Sequence, residues 1–162
     1  MLARPLIPAI IIMLNLLLPC LTAEASTPID AVLQARHEPP GVVFEIATGK
    51  SDSLEWALPL VKNYIGQIRQ RFPHVHIAVV THGRELFTLQ KSKAASDASV
   101  HKLTRQLVQD GVNLHVCGTY AERRGLSEED FPEYVNVAAA GPAQINDYVS
   151  VGYIRIKIKK PK

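Results

Sequence analysis

The feature that most constrains this chain is the alternation of short β-branched apolar runs with segments of helical periodicity. Val42-Val43-Phe44-Glu45-Ile46-Ala47 reads as a first strand. Leu54, Leu58, Val61, Ile65, Ile68 and Phe72 follow at spacings of four and three, which is one face of a helix. Asp52 and Glu55 suit a capping box at its start, Pro59 inside it predicts a bend or a shifted start, and Pro73 ends it. Val75 to Val80 is nearly continuous apolar, as in a strand covered on both faces. A short helix is expected over 85–90. A third runs over 96–110, with Val100, Leu103 and Leu107 inward and Gly111 as its stop. A strand over 112–117 leads into a brief helix near 120–124 and an acidic turn at Ser127-Glu128-Glu129-Asp130. A fourth strand over 135–139, a helix opened by Pro142 and a fifth strand over 153–159 complete the pattern. In the last strand Ile154, Ile156 and Ile158 alternate with Arg155, Lys157 and Lys159, a charged guard suited to a sheet edge. Strands alternating with helices predict an α/β fold, a mostly parallel sheet with helices on both faces.

The segment before this pattern reads as an address rather than as fold. Met1 to Arg4 carries a positive charge, Leu6 to Leu21 is almost wholly apolar, and Ala23-Glu24-Ala25 supplies a small-x-small cleavage site. Residues 1–25 are therefore expected to be a secretory signal, 26–40 a flexible leader ending in Pro39-Pro40, and 41–159 a single domain. The mature protein is then periplasmic and outside the membrane. A retained anchor is disfavoured by Pro8 and Pro19 and by the lack of a basic stop-transfer patch. Lipidation at Cys20 is disfavoured by the bulky Leu17-Leu18-Pro19 before it. Arg4 and Glu24 leave together, so the net charge stays at +3. The excess sits in the tail (Arg155, Lys157, Lys159, Lys160, Lys162), with no aromatic residue among the lysines, a poor match to a nucleic-acid binder.

Cleavage would leave one cysteine, Cys117, in Val116-Cys117-Gly118-Thr119. With no second cysteine, an internal disulfide and a dithiol redox cycle are both excluded. A thiol at a strand end, facing the amides that open a helix, lies where a thiolate is favoured. Parallel sheets bind ligands beyond the carboxyl ends of their strands, where Ala47-Thr48-Gly49, His82-Gly83 and Cys117-Gly118-Thr119 fall. If the second and third strands are neighbours, His82 lies near Cys117. Gly83 and Gly118 would then admit a small ligand to the backbone, and Arg123 and Arg124 would attract an anion. The plainer readings stand beside these: Cys117 as a small buried hydrophobe, His82 bonded to backbone, His115 packed or at a subunit contact, Arg123 and Arg124 as a solvated face, and Trp56 as core or interface. His74 and His76 lack a third ligand, so no metal site is expected. Ala47-Thr48-Gly49-Lys50-Ser51 ends in Gly-Lys-Ser but lacks the upstream glycine of a phosphate loop, which argues against a nucleotide hydrolase.

The ordered set of a strand ending in His82-Gly83, Gly111-Val112 through Val116-Cys117, Arg124-Gly125-Leu126 with Asp130 downstream, Ala140-Gly141 before a helix and Gly152-Tyr153-Ile154 resembles the DsrE/DsrF-like sulfur-relay family, across nearly all of 41–158. The resemblance implies a three-layer α/β/α sandwich with a five-stranded sheet, assembly as a homotrimer or hexamer, and no cofactor. It also implies that Cys117 carries sulfur as a persulfide between a donor and an acceptor protein or small thiol, with His82 and Gly83 in the turn beside it. Two departures stand out. Thr119-Tyr120 replaces the Asn-Ser or Asn-Thr that many relatives have after the cysteine, and the chain bears an export signal where the well-understood relays are cytoplasmic. Two functions follow: a periplasmic sulfur carrier acting through Cys117, or a non-catalytic oligomeric binding or assembly module of the same fold with a buried cysteine.

Overall fold

A computed structural model gives the fold, and the structure describes residues 28–161. The signal segment with its cleavage site, and Cys20, lie outside the described residues. Five strands, β1 (Gly41–Ile46), β2 (His76–Thr81), β3 (Val112–Cys117), β4 (Asn136–Ala138) and β5 (Ile154–Lys157), form one sheet in the order β4-β3-β2-β1-β5. Every neighbouring pair is parallel, as the alternating pattern predicts.

Alternation along each strand sorts side chains to the two faces. Val42, Phe44 and Ile46 of β1, Ile77 and Val79 of β2, and Leu114 and Val116 of β3 join the main core. Helix α2 (Leu54–Arg71) supplies Leu58, Val61, Ile65 and Ile68 to it, and α3 (Ala98–Gln109) supplies Val100 and Leu107. On the opposite face helix α5 (Gly141–Ser150), the one helix there among the described residues, places Ile145 over Val43, Ala78 and Val80, with Tyr148 and Tyr153 beside them. This is the expected α/β sandwich, thick on one side and thin on the other.

Three local expectations change. The leader is not a free arm: Ile29 is 1% exposed and Val32, in the short helix α1 (Asp30–Leu33), is fully buried in the main core. Two apolar side chains found a place beside α2, and Arg71 Nη2 donates to the Ala35 carbonyl at 2.9 Å. Secondly, Asp52 and Glu55 form no capping box. The chain enters α2 through a 3-10 turn at Ser51–Ser53, and Ser53 already has helical dihedrals, so its side chain makes no cap bond. The reciprocal box forms instead at Ser127 and Asp130. Thirdly, β5 does lie at an edge, but its charged face is not simply solvated. Arg155 and Lys157 point towards the carboxylate of Glu45 on β1.

Candidate functional site

The carboxyl ends of β2, β3 and β4 converge on a cleft of about 240 Å3 lined by His82, Cys117, Thr119, Tyr120, Arg123, Ala140 and Pro142. Cys117 ends β3 and is the residue before the short helix α4 (Gly118–Glu122). His82 prolongs β2 by one residue, donating its amide to the Ile46 carbonyl at 3.1 Å. Gly141, the first residue of α5, closes the wall. A Cβ placed there would stand 2.6 Å from the Cβ of His82 and 3.2 Å from that of Cys117. Only a residue without a side chain lets α5 begin so close to both strand ends. The expected proximity of His82 to Cys117 thus arises because β2 and β3 are neighbours and α5 starts against both.

The sulfur is less available than a thiol presented at the rim would be. Cys117 is 5% exposed and packs with the main core. At the head of α4 it makes no side-chain capping bond. It is the one free cysteine among the described residues. Burial comes from its surroundings: the side chain packs with the main core, and the start of α5 at Gly141 stands against it.

His82 is committed to a different partner. Its Nε2 lies 3.0 Å from Glu45 Oε1, and Arg155 donates to Glu45 Oε2 from Nε at 2.7 Å and Nη2 at 2.6 Å. Lys157 Nζ lies 3.9 Å away. Burial alone would raise the carboxyl pKa of Glu45, which is 6% exposed. The hydrogen bonds from His82 and Arg155, with the charges of Arg155 and Lys157, outweigh that and hold it below the usual carboxylate range. An ionised carboxylate only accepts, so His82 must carry its proton on Nε2.

The other candidates have different fates. The backbone above Gly83 is occupied by the chain itself: its amide donates to Glu85 Oε1 at 2.7 Å, and a Cβ there would lie 2.5 Å from Glu85 Oε2. A Cβ placed on Gly118 would lie 3.0 Å from the Ala138 carbonyl oxygen. Neither glycine offers a ligand the open approach expected of it. Thr119 lines the cleft, but its amide and hydroxyl both donate to the Ala139 carbonyl, at 3.0 and 2.6 Å. Thr48 and Gly49 are drawn away altogether, their amides donating to Glu85 Oε2 at 3.2 Å. Glu85 is fully buried and also accepts from the hydroxyls of Thr48 and Thr81. Arg124 lies over the Phe87 ring, whereas Arg123 reaches the cleft mouth.

His115 packs, on the thin face, with Nε2 2.8 Å from the Tyr148 hydroxyl. Desolvation holds its pKa below the ordinary imidazole value. His74 and His76 are exposed, and no three His, Cys, Asp or Glu side chains gather into a metal-holding group among the described residues. From the sequence, Gly141 and Tyr120 stood out only as parts of the family resemblance, and Glu45 and Glu85 carried no site role. A lone acid inside the apolar run of β1 was the one available signal for Glu45.

Comparison places this geometry among known folds. The structure of MTH1491 from Methanobacterium thermoautotrophicum, a protein of unknown function, superposes with a TM-score of 0.55 at 24% identity, covering 72% of this chain and 97% of that one. The ychN protein of E. coli gives a TM-score of 0.55 at 14% identity, covering 73% and 99%. BT1422 from Bacteroides thetaiotaomicron, also of unknown function, gives 0.51 at 16%, covering 72% and 94%. These likenesses show a shared fold. No curated protein matches the sequence. The family model of DsrE/DsrF-like proteins matches residues 44–158, from the middle of β1 to just past β5, and the chain therefore belongs to the DsrE/DsrF-like family.

Proposed function

We propose that this chain is a non-catalytic binding or assembly module built on the DsrE/DsrF-like fold, in which Cys117 is part of a cleft wall. The burial of the sulfur carries this reading. At 5% exposure, packed with the core and without a second cysteine among the described residues, Cys117 behaves as a small hydrophobe. The family links the chain to sulfur relay in general. Its partner is then a relay-type protein or small thiol recognised by the surface around the cleft, rather than by sulfur transfer to Cys117. The export signal in residues 1–25 supports a periplasmic location, and the family resemblance supports a homotrimer or hexamer as the assembled form.

One observation favours the carrier as a second reading: Cys117 does border an open cleft, beside His82 and below Arg123. There a thiolate would attack a sulfane sulfur, form the persulfide S–S bond as the donor's sulfur bond breaks, and later surrender that sulfur to an acceptor thiol. Thiol kinetics and intact mass separate the two. A structural cysteine predicts iodoacetamide alkylation far slower in the native than in the unfolded protein, and no added sulfur after exposure to polysulfide. A one-sulfur mass gain that disappears in a folded Cys117→Ser variant would overturn the module reading. The same spectrum of the exported protein should show a chain beginning at Ser26.

A further inference from the structure

A second crevice opens at the other end of the rim, beyond the carboxyl ends of β1 and β5. It holds about 330 Å3, and its lining includes Lys50, Asp52, Trp56, Ile158, Lys159 and Lys160. Its position follows from the topology. From β1 the chain steps through β2 and β3 to β4 in one direction, then returns across the sheet by way of α5 to place β5 on the far side of β1. Strand order reverses between β1 and β5, which sets Ile158, Lys159 and Lys160, just past β5, beside the turn that carries Ala47 to Asp52 out of β1. The volume falls at the lower end of the range of small-molecule sites.

Its chemistry is two-sided. The indole of Trp56, packed against the main core from the first turn of α2, and the buried Ile158 make an apolar wall. Lys50, Lys159 and Lys160 are exposed around it, and none forms an ion pair with a carboxylate among the described residues. Asp52 contributes one opposing side chain, so three basic residues face one acidic residue around the crevice. Ammonium groups on flexible stems suit a compact, multiply charged oxyanion such as phosphate, whereas planar bidentate carboxylate recognition favours arginine. The indole suits a flat ring.

We propose that this crevice binds a small aromatic phosphomonoester, its ring against Trp56 and its phosphate among Lys50, Lys159 and Lys160. The site is separate from the Cys117 cleft and does not depend on the function proposed for it. Trp56 is the only tryptophan in the chain, so a single indole N–H resonance reports on the crevice. Titrating the 15N-labelled protein with 1-naphthyl phosphate should shift that resonance saturably, with half-saturation in the micromolar to low-millimolar range. Inorganic phosphate and 1-naphthol should each bind at least tenfold more weakly. Changing Lys50, Lys159 and Lys160 together to Gln, all exposed and therefore compatible with folding, should weaken naphthyl phosphate at least tenfold. An unmoved indole, equal binding of 1-naphthol, unchanged affinity in the lysine variant, or shifts confined to Thr119 and Tyr120 would each overturn the assignment.

Discussion

Two parts of the sheet's rim begin with similar credentials and end differently. In the turn after β2, Glu85 folds back and takes donors from Thr48, Gly49, Thr81 and Gly83, so that the amides of two loops are spent on one internal carboxylate. At the Cys117 cleft, by contrast, the thiol makes no capping bond and His82 is held from behind by Glu45, leaving a cavity between β3 and α5. The first region is a knot and the second is an opening. A strand-end glycine or threonine signals a ligand site only where the chain has not already supplied its own anion.

The strongest way to break this contrast is to remove the knot. Glu85→Leu leaves several partly buried donors without an acceptor, and each such loss costs about 1–3 kcal/mol. A destabilisation of about 3–4 kcal/mol is expected in urea melts. A variant as stable as the parent would show that these bonds are not what ties the loops together.

A smaller effect is expected at the opening. Gly141→Ala drives a methyl group into the Cβ atoms of His82 and Cys117, neither of which can swing aside as a flexible side-chain tip would. Overpacking of this kind costs about 1–3 kcal/mol, and the displaced start of α5 should change the rate at which Cys117 is alkylated. An unchanged rate with unchanged stability would mean that α5 does not set access to the sulfur.

The smallest effect sharpens the role of Glu45. Its carboxyl titrates below the 4.5 of an unperturbed glutamate, so folding binds fewer protons than the unfolded chain does between the two values. The stabilisation is therefore complete above pH 4.5. It is lost as pH falls through the lowered folded value. Glu45→Gln should cost about 1 kcal/mol at neutral pH, and the gap to the parent should close on acidification. A gap that stays constant down to the acid limit would mean that the ion pair with Arg155 contributes no net stability.

The architecture was legible from local pattern. The inward face of α2 was read residue by residue, because burial of a helix repeats every three to four positions and leaves its mark in hydropathy. Strand alternation in β5 was legible for the same reason. The start of α2 was not, since a 3-10 entry competes with a capping box on nearly equal terms. Ile29 and Val32 sit in a short stretch, Ile29-Asp30-Ala31-Val32-Leu33, that spans too few residues to show a period.

What the chain determined by itself was a succession of elements and the handed, parallel way in which they stack, because those depend on neighbours a few residues apart and on the twist of L-amino acids. The tertiary structure alone decided which rim residues meet. Arg155 reaches Glu45 across 110 positions of sequence. Thr48 meets Glu85 across 37, and Gly141 joins His82 to Cys117. Such meetings depend on strand order and register, which periodicity does not encode, and they determine whether a thiol at the end of a strand faces solvent or the core.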